Sequence, residues 1–275
     1  MKATVRRSHP TYRLPDDGPS YQFVWQSPST TRVLRREESA AYSRAILDPS
    51  RTDPNFLVLR ERRKILASWI CSLPPTGLCV LDVGGRLQPY RPLLETRTSL
   101  YVGLDPVLEG SLAVAGVGES LPFRDESFDL VICTQTLNYA EDPFAVVGEI
   151  YRVLKSGGSL YLTVPAIFPR YHDQRWRFMP AGIASLLADF SDVEIVPEGR
   201  SLAGLCRTLN LFIDTFLQGR LTRRAARLLF ATLNIAGELL DRASRERTRF
   251  ATNYACRARK RNLDDSHTQT ESPAA

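Results

Sequence analysis

Apolar positions along the chain follow two alternating rhythms. Leu78–Val83 and Leu100–Asp105 are short, nearly continuous apolar runs, Ser111–Val117 is a weaker one, and Phe128–Cys133 and Ser159–Val164 are two more. Runs of this length, bounded by turn residues, read as buried β-strands. Between and around them lie patterns of helical period, over about Val33–Leu47, Phe56–Ser72 and Asp142–Leu154. Pro49 and Pro54 separate the first two, and Pro74-Pro75-Thr76-Gly77 closes the second. Pro143 belongs in the first turn of the third, and Lys155-Ser-Gly-Gly158 stops it. After Pro180 the pattern predicts a helix over about Ala181–Phe190 and a strand at Val193–Val196. Two long helical patterns follow, Leu202–Leu217 and Leu221–Arg242, then an alternating strand at Thr252–Ala258.

Strands separated by helices define an α/β chain, a Rossmann-like doubly wound sheet that is mostly parallel with right-handed crossovers. Residues 1–32, rich in Pro, Ser, Thr and Asp, read as an extended or disordered arm. Residues 33–260 form one domain with a helical insertion at 201–245, and 261–275 read as a disordered tail.

Composition adds limits. A chain of 275 residues that is 43% hydrophobic can bury a full core. The net charge of +6 is spread over several helices and both tails, without an aromatic-basic pattern, so no nucleic-acid partner is expected. Arg60, Arg62, Arg63 and Lys64 read as the solvated face of the second helix. Five cysteines without a Cys-x-x-Cys pair imply buried free thiols and no metal site. No apolar run has the length of a membrane span, and the first residues carry no apolar signal region, so a cytoplasmic protein is expected.

The stretch Val80-Leu-Asp-Val-Gly-Gly-Arg86, with Tyr101-Val-Gly-Leu-Asp105 after it, carries the chemistry. Two neighbouring parallel strands deliver their C-terminal ends to one crevice. Gly84 and Gly85 let backbone approach a ligand, and Asp105 is placed to grip a ribose. Both nicotinamide dinucleotides and S-adenosylmethionine are held in this way.

A longer block separates them. It runs from Glu119-Ser-Leu-Pro-Phe-Arg-Asp-Glu-Ser-Phe-Asp-Leu-Val-Ile-Cys133 through Asn138-Tyr-Ala-Glu-Asp-Pro143 to Glu149-Ile-Tyr-Arg-Val-Leu-Lys-Ser-Gly-Gly-Ser-Leu-Tyr-Leu-Thr-Val164. Over roughly residues 60–200 the chain resembles the class I S-adenosylmethionine-dependent methyltransferases, in particular the small-molecule branch typified by ubiquinone-biosynthesis enzymes. The resemblance implies a seven-stranded sheet whose last strand runs antiparallel. It implies that Asp82 orients the glycine loop and the methionyl amino group, and that Gly84 and Gly85 approach the methionyl part. Asp105 would take the ribose hydroxyls in a charge-assisted pair. Glu119, Ser120 and Leu121 would contact adenine, and Thr134 and Gln135 would lie beneath the cofactor. The loop departs from the family pattern: Arg86 and Gln88 stand where further glycines are usual, and Val117 replaces an acid. Arg86 is then a natural bidentate partner for the cofactor carboxylate, or a side chain that crowds the pocket. The run Arg86-Leu-Gln-Pro-Tyr-Arg-Pro-Leu-Leu94 also resembles a subgroup found in surface-polysaccharide and lipid-linked sugar pathways.

The segment Pro169–Phe178 follows the fifth strand, where substrate approaches. There His172 is the candidate general base, with a loop-capping role through Asp173 as the alternative. Arg175 and Arg177 are candidates for an anionic substrate, or anchors of the loop, and Tyr139 for lining the pocket. The helices between 202 and 242 read as a cap that completes the core, with a homodimer face and a peripheral membrane contact as the other readings. Three functions stay open. One is methyl transfer to the hydroxyl of a small molecule, glycan or lipid-linked sugar. The others are NAD-dependent oxidation and a catalytically inactive cofactor-binding scaffold.

Overall fold

A computed structural model describes residues 36–107, 114–167, 174–217, 220–243 and 249–262. Two helices, α1 (Arg36–Leu47) and α2 (Phe56–Cys71), precede β1 (Leu78–Val83) and β2 (Thr98–Asp105). A two-residue β3 (Val114–Ala115) and β4 (Phe128–Thr134) lead to α3 (Pro143–Val153) and β5 (Leu154–Pro165). Next come α4 (Pro180–Leu186), β6 (Phe190–Pro197), α5 (Ser201–Thr215), α6 (Arg220–Ala243) and β7 (Asn253–Lys260). The seven strands lie in the order β3-β2-β1-β4-β5-β7-β6. Strands β1 to β5 pair in parallel, and β7 runs antiparallel between β5 and β6.

The alternation of side chains along each strand divides the core in two. Val80, Leu130, Ile132, Tyr161 and Ala255 face α2, meeting Leu66, Trp69 and Ile70 together with Tyr90 and Leu94. Leu81, Val83, Val131, Cys133, Leu160, Leu162 and Cys256 face the other way, onto Val146, Ile150 and Val153 of α3 and Ile183 of α4. The sheet is therefore the middle of three layers, the arrangement in which parallel strands are buried on both faces.

Several boundaries differ from the sequence reading for local reasons. Asp142 caps α3, its carboxylate accepting from the N–H groups of Phe144 (2.9 Å) and Ala145 (3.2 Å). Lys155–Gly158 is not a turn. It is the start of β5, with Gly157 at φ 71° and a register shift between Phe128 and Leu130 opposite. Phe190 belongs to β6 rather than to the preceding helix, and it is buried against Tyr151. Cys133 and Cys256 are buried, whereas Cys71 is exposed at the end of α2. The expected arm at 1–32 lies outside the described residues, as does the expected tail from 263 onward.

Arg62 is not part of a solvated face. It is 5% exposed, and its Nε and Nη2 donate to Oε1 and Oε2 of the fully buried Glu198 at 2.7 and 2.6 Å. This fork ties α2 to the residue that follows β6, a geometry that only arginine supplies bidentately.

Helices α5 and α6 also depart from the expected cap. On α5 the buried stripe is polar, with Arg207, Asn210 and Asp214 at helical spacing. Asn210 donates to Asn234 Oδ1 of α6 at 2.9 Å, and Asp241 of α6 accepts from the N–H groups of Leu202 and Ala203 at the start of α5. The exposed stripe is apolar: Leu205, Leu209, Phe212 and Phe216, the last 68% exposed. Leu228, Leu239 and Leu240 of α6 are exposed as well. The hairpin completes the core through these polar contacts together with the buried Ala203, Leu211 and Phe230, and turns much of its remaining hydrophobic content outward.

Candidate active site at the C-terminal edge of the sheet

The loop after β1 folds back over its own strand. The N–H groups of Gly84 and Gly85 both donate to Leu104 O of β2, at 2.8 and 3.1 Å, which locks the loop to the neighbouring strand. Gly84 sits at φ 75°, and a Cβ there would come within 2.1 Å of Thr136 Oγ1. A Cβ on Gly85 would meet Asp82 at 2.5 Å. Side chains are excluded at both positions by Thr136 and Asp82, and by the left-handed backbone at Gly84. Gln88, where the family pattern has a glycine, also adopts a positive φ of 46°. It is buried, and its Oε1 accepts from Arg91 Nη1 at 3.0 Å.

Two buried acids stand at the C-terminal ends of β1 and β2. Asp82 is buried, and its Oδ2 accepts from the Tyr101 hydroxyl at 2.7 Å. Burial raises its carboxyl to about 7; the Tyr101 hydrogen bond opposes this and the charge of Asp105 adds to it. Asp105, also buried, ends β2 and accepts from the Val107 N–H through Oδ1 at 2.9 Å.

Opposite the glycine loop lies the end of β4. Gln135, at φ 56°, donates its N–H to Thr163 O at 2.8 Å, and its side chain joins Thr163 Oγ1 to Asn253 of β7. A single cavity of about 120 Å³ brings Gly84, Arg86, Thr134, Gln135 and Tyr139 together. Its far wall comes from the helices: Asn55 before α2, Arg62 within it, and Arg207 of α5.

The remaining sequence candidates fall elsewhere. Glu119 directs Oε1 to the Glu141 N–H at 2.8 Å, bracing the loop after β4. Ser120 is exposed. Leu121 is buried in the core beside Val83 and Val146, and its N–H is taken by Glu149 Oε2 at 2.7 Å. Arg175 is exposed and bonded to Glu141 at 3.3 Å. Arg177 is exposed too, and Arg177 Nη1 donates to Trp176 O at 3.0 Å. His172 lies outside the described residues. Sequence reasoning missed Asn55, Arg62, Asn138, Gln174 and Arg207. Asn138 stands beside Tyr139 in the central block, and Arg207 is the one basic residue between Leu202 and Leu217; both were visible signals.

These residues suit S-adenosylmethionine. Arg86 lines the cavity and suits a carboxylate, and the two buried acids, which are not part of the cavity lining, stand at the ends of β1 and β2 and suit an ammonium and a ribose. Asn138 is 1% exposed and lines the cavity, and among the described residues nothing donates to its Oδ1, which suits a ligand donor.

Comparison with known proteins agrees. Residues 81–162 match a family model described as a methyltransferase domain. The chain is 38% identical over 90 residues to malonyl-[acyl-carrier protein] O-methyltransferase 1 of Coxiella burnetii, covering 30% of this chain and 32% of that one. Among solved structures it is similar to an S-adenosylmethionine-dependent methyltransferase of Thermotoga maritima, with 18% identity and a TM-score of 0.47, over 75% of this chain and 93% of that one. It is also similar to a phosphoethanolamine N-methyltransferase of Haemonchus contortus in complex with S-adenosylhomocysteine, with 14% identity and a TM-score of 0.48, over 80% and 61% of the two chains. The chain spans about a third of the length of the curated relatives it matches. Residues 81–162, less than half of the chain, thus match a methyltransferase domain.

Proposed function

We propose that the chain transfers a methyl group from S-adenosylmethionine to a hydroxyl of a small-molecule or glycan acceptor, and that this acceptor is a lipid-linked sugar. The observation that carries the transfer is the single cavity joining the glycine loop, through Gly84 and Arg86, to polar residues of α2, α5 and the loop after β4. Bound there, S-adenosylmethionine supplies an electrophilic methyl group on a sulfonium. Arg86 in the cavity wall would hold the carboxylate, while ionised Asp82 and Asp105, outside the cavity lining at the C-terminal ends of β1 and β2, would hold the ammonium and the ribose, so that the chain's contribution is positioning. The acceptor hydroxyl gives up its proton as the new bond forms, and His172, two residues before the cavity-lining Gln174, receives it.

The lipid-linked reading rests on α5 and α6. The outward stripe of Leu205, Leu209, Phe212 and Phe216 is joined by Leu228, one helical turn beyond the exposed Arg224. Apolar side chains beside exposed arginines suit an anionic lipid surface, on which a helix hairpin lies without crossing it. No helix among the described residues is long and apolar enough to cross a membrane.

Calorimetric titration with S-adenosylmethionine, S-adenosylhomocysteine and NAD tests the cofactor side. Binding of both sulfur compounds is expected, with Asp105→Ala weakening them by about 1.5–3 kcal/mol, the worth of a hydrogen bond to a charged group. NAD binding in place of both sulfur compounds would instead make the chain an oxidoreductase.

A further inference from the structure

The far wall of the cavity, made by Asn55, Arg62 and Arg207, is the acceptor wall in the methyl-transfer reading. Two amides, Asn138 and Gln174, complete the lining. Asn138 is 1% exposed, and among the described residues nothing donates to its Oδ1. Gln174 Nε2 donates to the Tyr139 hydroxyl at 3.0 Å, and among the described residues nothing donates to its buried Oε1. Buried oxygens of this kind are normally paired, and one left open raises the free energy of the empty site.

Both amides are held in place by their backbone. The Tyr139 N–H donates to Thr136 O at 3.0 Å and the Ala140 N–H to Leu137 O at 3.3 Å, which turns the loop after β4. Glu119 Oε1 braces the same loop at the Glu141 N–H. The segment that begins at Gln174 is bound along it. The N–H groups of Arg175 and Trp176 both donate to Asn138 O, at 2.7 and 3.2 Å, and Trp176 Nε1 donates to Ala140 O at 2.9 Å. Asn138 and Gln174 therefore belong to one braced patch of the cavity wall.

The chemistry of the patch narrows what it takes. An amide oxygen accepts a hydrogen bond and cannot donate one. A carboxylate or a fully ionised phosphate also only accepts, so neither completes the patch. An ammonium donates, but the described lining of the cavity holds no aspartate or glutamate to balance a buried cation. Hydroxyls donate without bringing charge, and a sugar ring presents several of them side by side.

We infer that Asn138 and Gln174 select the methyl acceptor, their oxygens taking hydrogen bonds from free hydroxyls of a sugar ring beside the one that is methylated. This rests on the methyl-transfer reading and deepens it. A ring whose neighbouring hydroxyls already carry alkyl or acyl groups cannot donate to either amide, so methyl transfer precedes any other substitution there.

Calorimetry tests this on the wild-type chain saturated with S-adenosylhomocysteine, titrated with octyl glycosides of glucose, galactose, mannose and rhamnose below the concentrations at which they form micelles. Saturable one-to-one binding of at least one glycoside is expected. Its fully O-methylated derivative keeps the ring oxygens and the octyl tail but has no donor, and it should bind about tenfold more weakly or less. Asn138→Leu and Gln174→Met keep side-chain size and remove the oxygens. Each should weaken the glycoside by about three- to tenfold, the worth of one hydrogen bond, with affinity for S-adenosylhomocysteine within about twofold. Without glycoside, Asn138→Leu should unfold at the same or a higher denaturant concentration, because it removes an unpaired buried oxygen; a purely structural asparagine would lower that midpoint. The O-methylated comparison needs no variant and decides the matter if a variant fails to fold. Absence of glycoside binding, equal binding of the O-methylated derivative, or variants that lose S-adenosylhomocysteine and keep the glycoside overturn the inference. Failure of S-adenosylhomocysteine to bind the wild type would overturn the methyl-transfer reading instead, and a glycoside titration without it reads separately.

Discussion

Tyr101 of β2 donates its hydroxyl to Asp82 Oδ2 of β1 across 2.7 Å, on the sheet face that packs against α2. This bond is one of the forces that keep Asp82 ionisable inside the protein. Burial lifts its carboxyl to about 7, and the hydrogen bond lowers it against that trend. Asp82 in the unfolded chain loses its proton near the ordinary aspartate value. Between that value and about pH 7 the folded protein retains a proton that the unfolded chain has released, so stability falls as pH rises through this window. Cofactor binding runs the other way, because the cofactor ammonium favours the ionised carboxylate. Affinity for S-adenosylhomocysteine should therefore increase as pH rises through about 7. Tyr101→Phe removes the opposing bond and should move the midpoint to higher pH. Calorimetry across pH checks both, and an unshifted midpoint in Tyr101→Phe would show that the hydroxyl has no electrostatic role.

Gly84→Ala should destabilise the fold by about 1–3 kcal/mol, the usual penalty for a strained backbone position compounded by a clash. The two parts are separable. A Cβ at residue 84 meets Thr136 Oγ1, Cγ2 and Cβ, so Gly84→Ala combined with Thr136→Ala should recover part of the steric cost, keeping the 2.9 Å contact with the residue 136 Cβ and the cost of φ 75°. Denaturant unfolding of the single and double variants measures the difference, and equal loss in both would place the whole effect in the backbone.

His172→Ala should reduce turnover by roughly a hundredfold or more, the contribution of a general base, with affinity for S-adenosylhomocysteine unchanged. Single-turnover measurement with a lipid-linked sugar as acceptor is the relevant assay. Wild-type turnover in this variant would return His172 to a loop-capping role.

The outward face of α5 should bring the chain down with vesicles containing phosphatidylglycerol and leave it in solution with pure phosphatidylcholine. The rings of Phe212 and Phe216 pack edge to face at 4.9 Å, both exposed, and form the centre of that face. Replacing both by serine should release the chain from the vesicles. If the vesicles retain the variant, or if the wild type sediments as a dimer that the variant loses, the face serves another purpose.

How much of this was legible in the sequence follows from the range of the interactions. The strands that carry Asp82, Asp105 and Thr134 announce themselves, because their apolar runs and the glycine loop are local patterns. Asp142 and Pro143 likewise mark the start of α3. The acceptor wall was hidden because its members meet only in three dimensions: Asn55 and Arg207 are 152 residues apart, and Arg62 and Glu198 are 136 apart. The polarity of α5 was misread for a related reason. Periodicity locates the apolar stripe of a helix but does not say which stripe faces inward when the neighbours supply polar partners such as Asn234 and Asp241.

Strand β7 pairs with β5 on one side and β6 on the other, although both precede it in the chain. During synthesis, β6 therefore has no neighbour to hydrogen-bond until residues 253–260 emerge. Asn253, the first residue of that strand, is also the one that anchors Arg207 and Gln135. Closure of the sheet and assembly of the acceptor wall are thus a single late folding event, and the cavity takes its final shape only when the last gap between strands is filled.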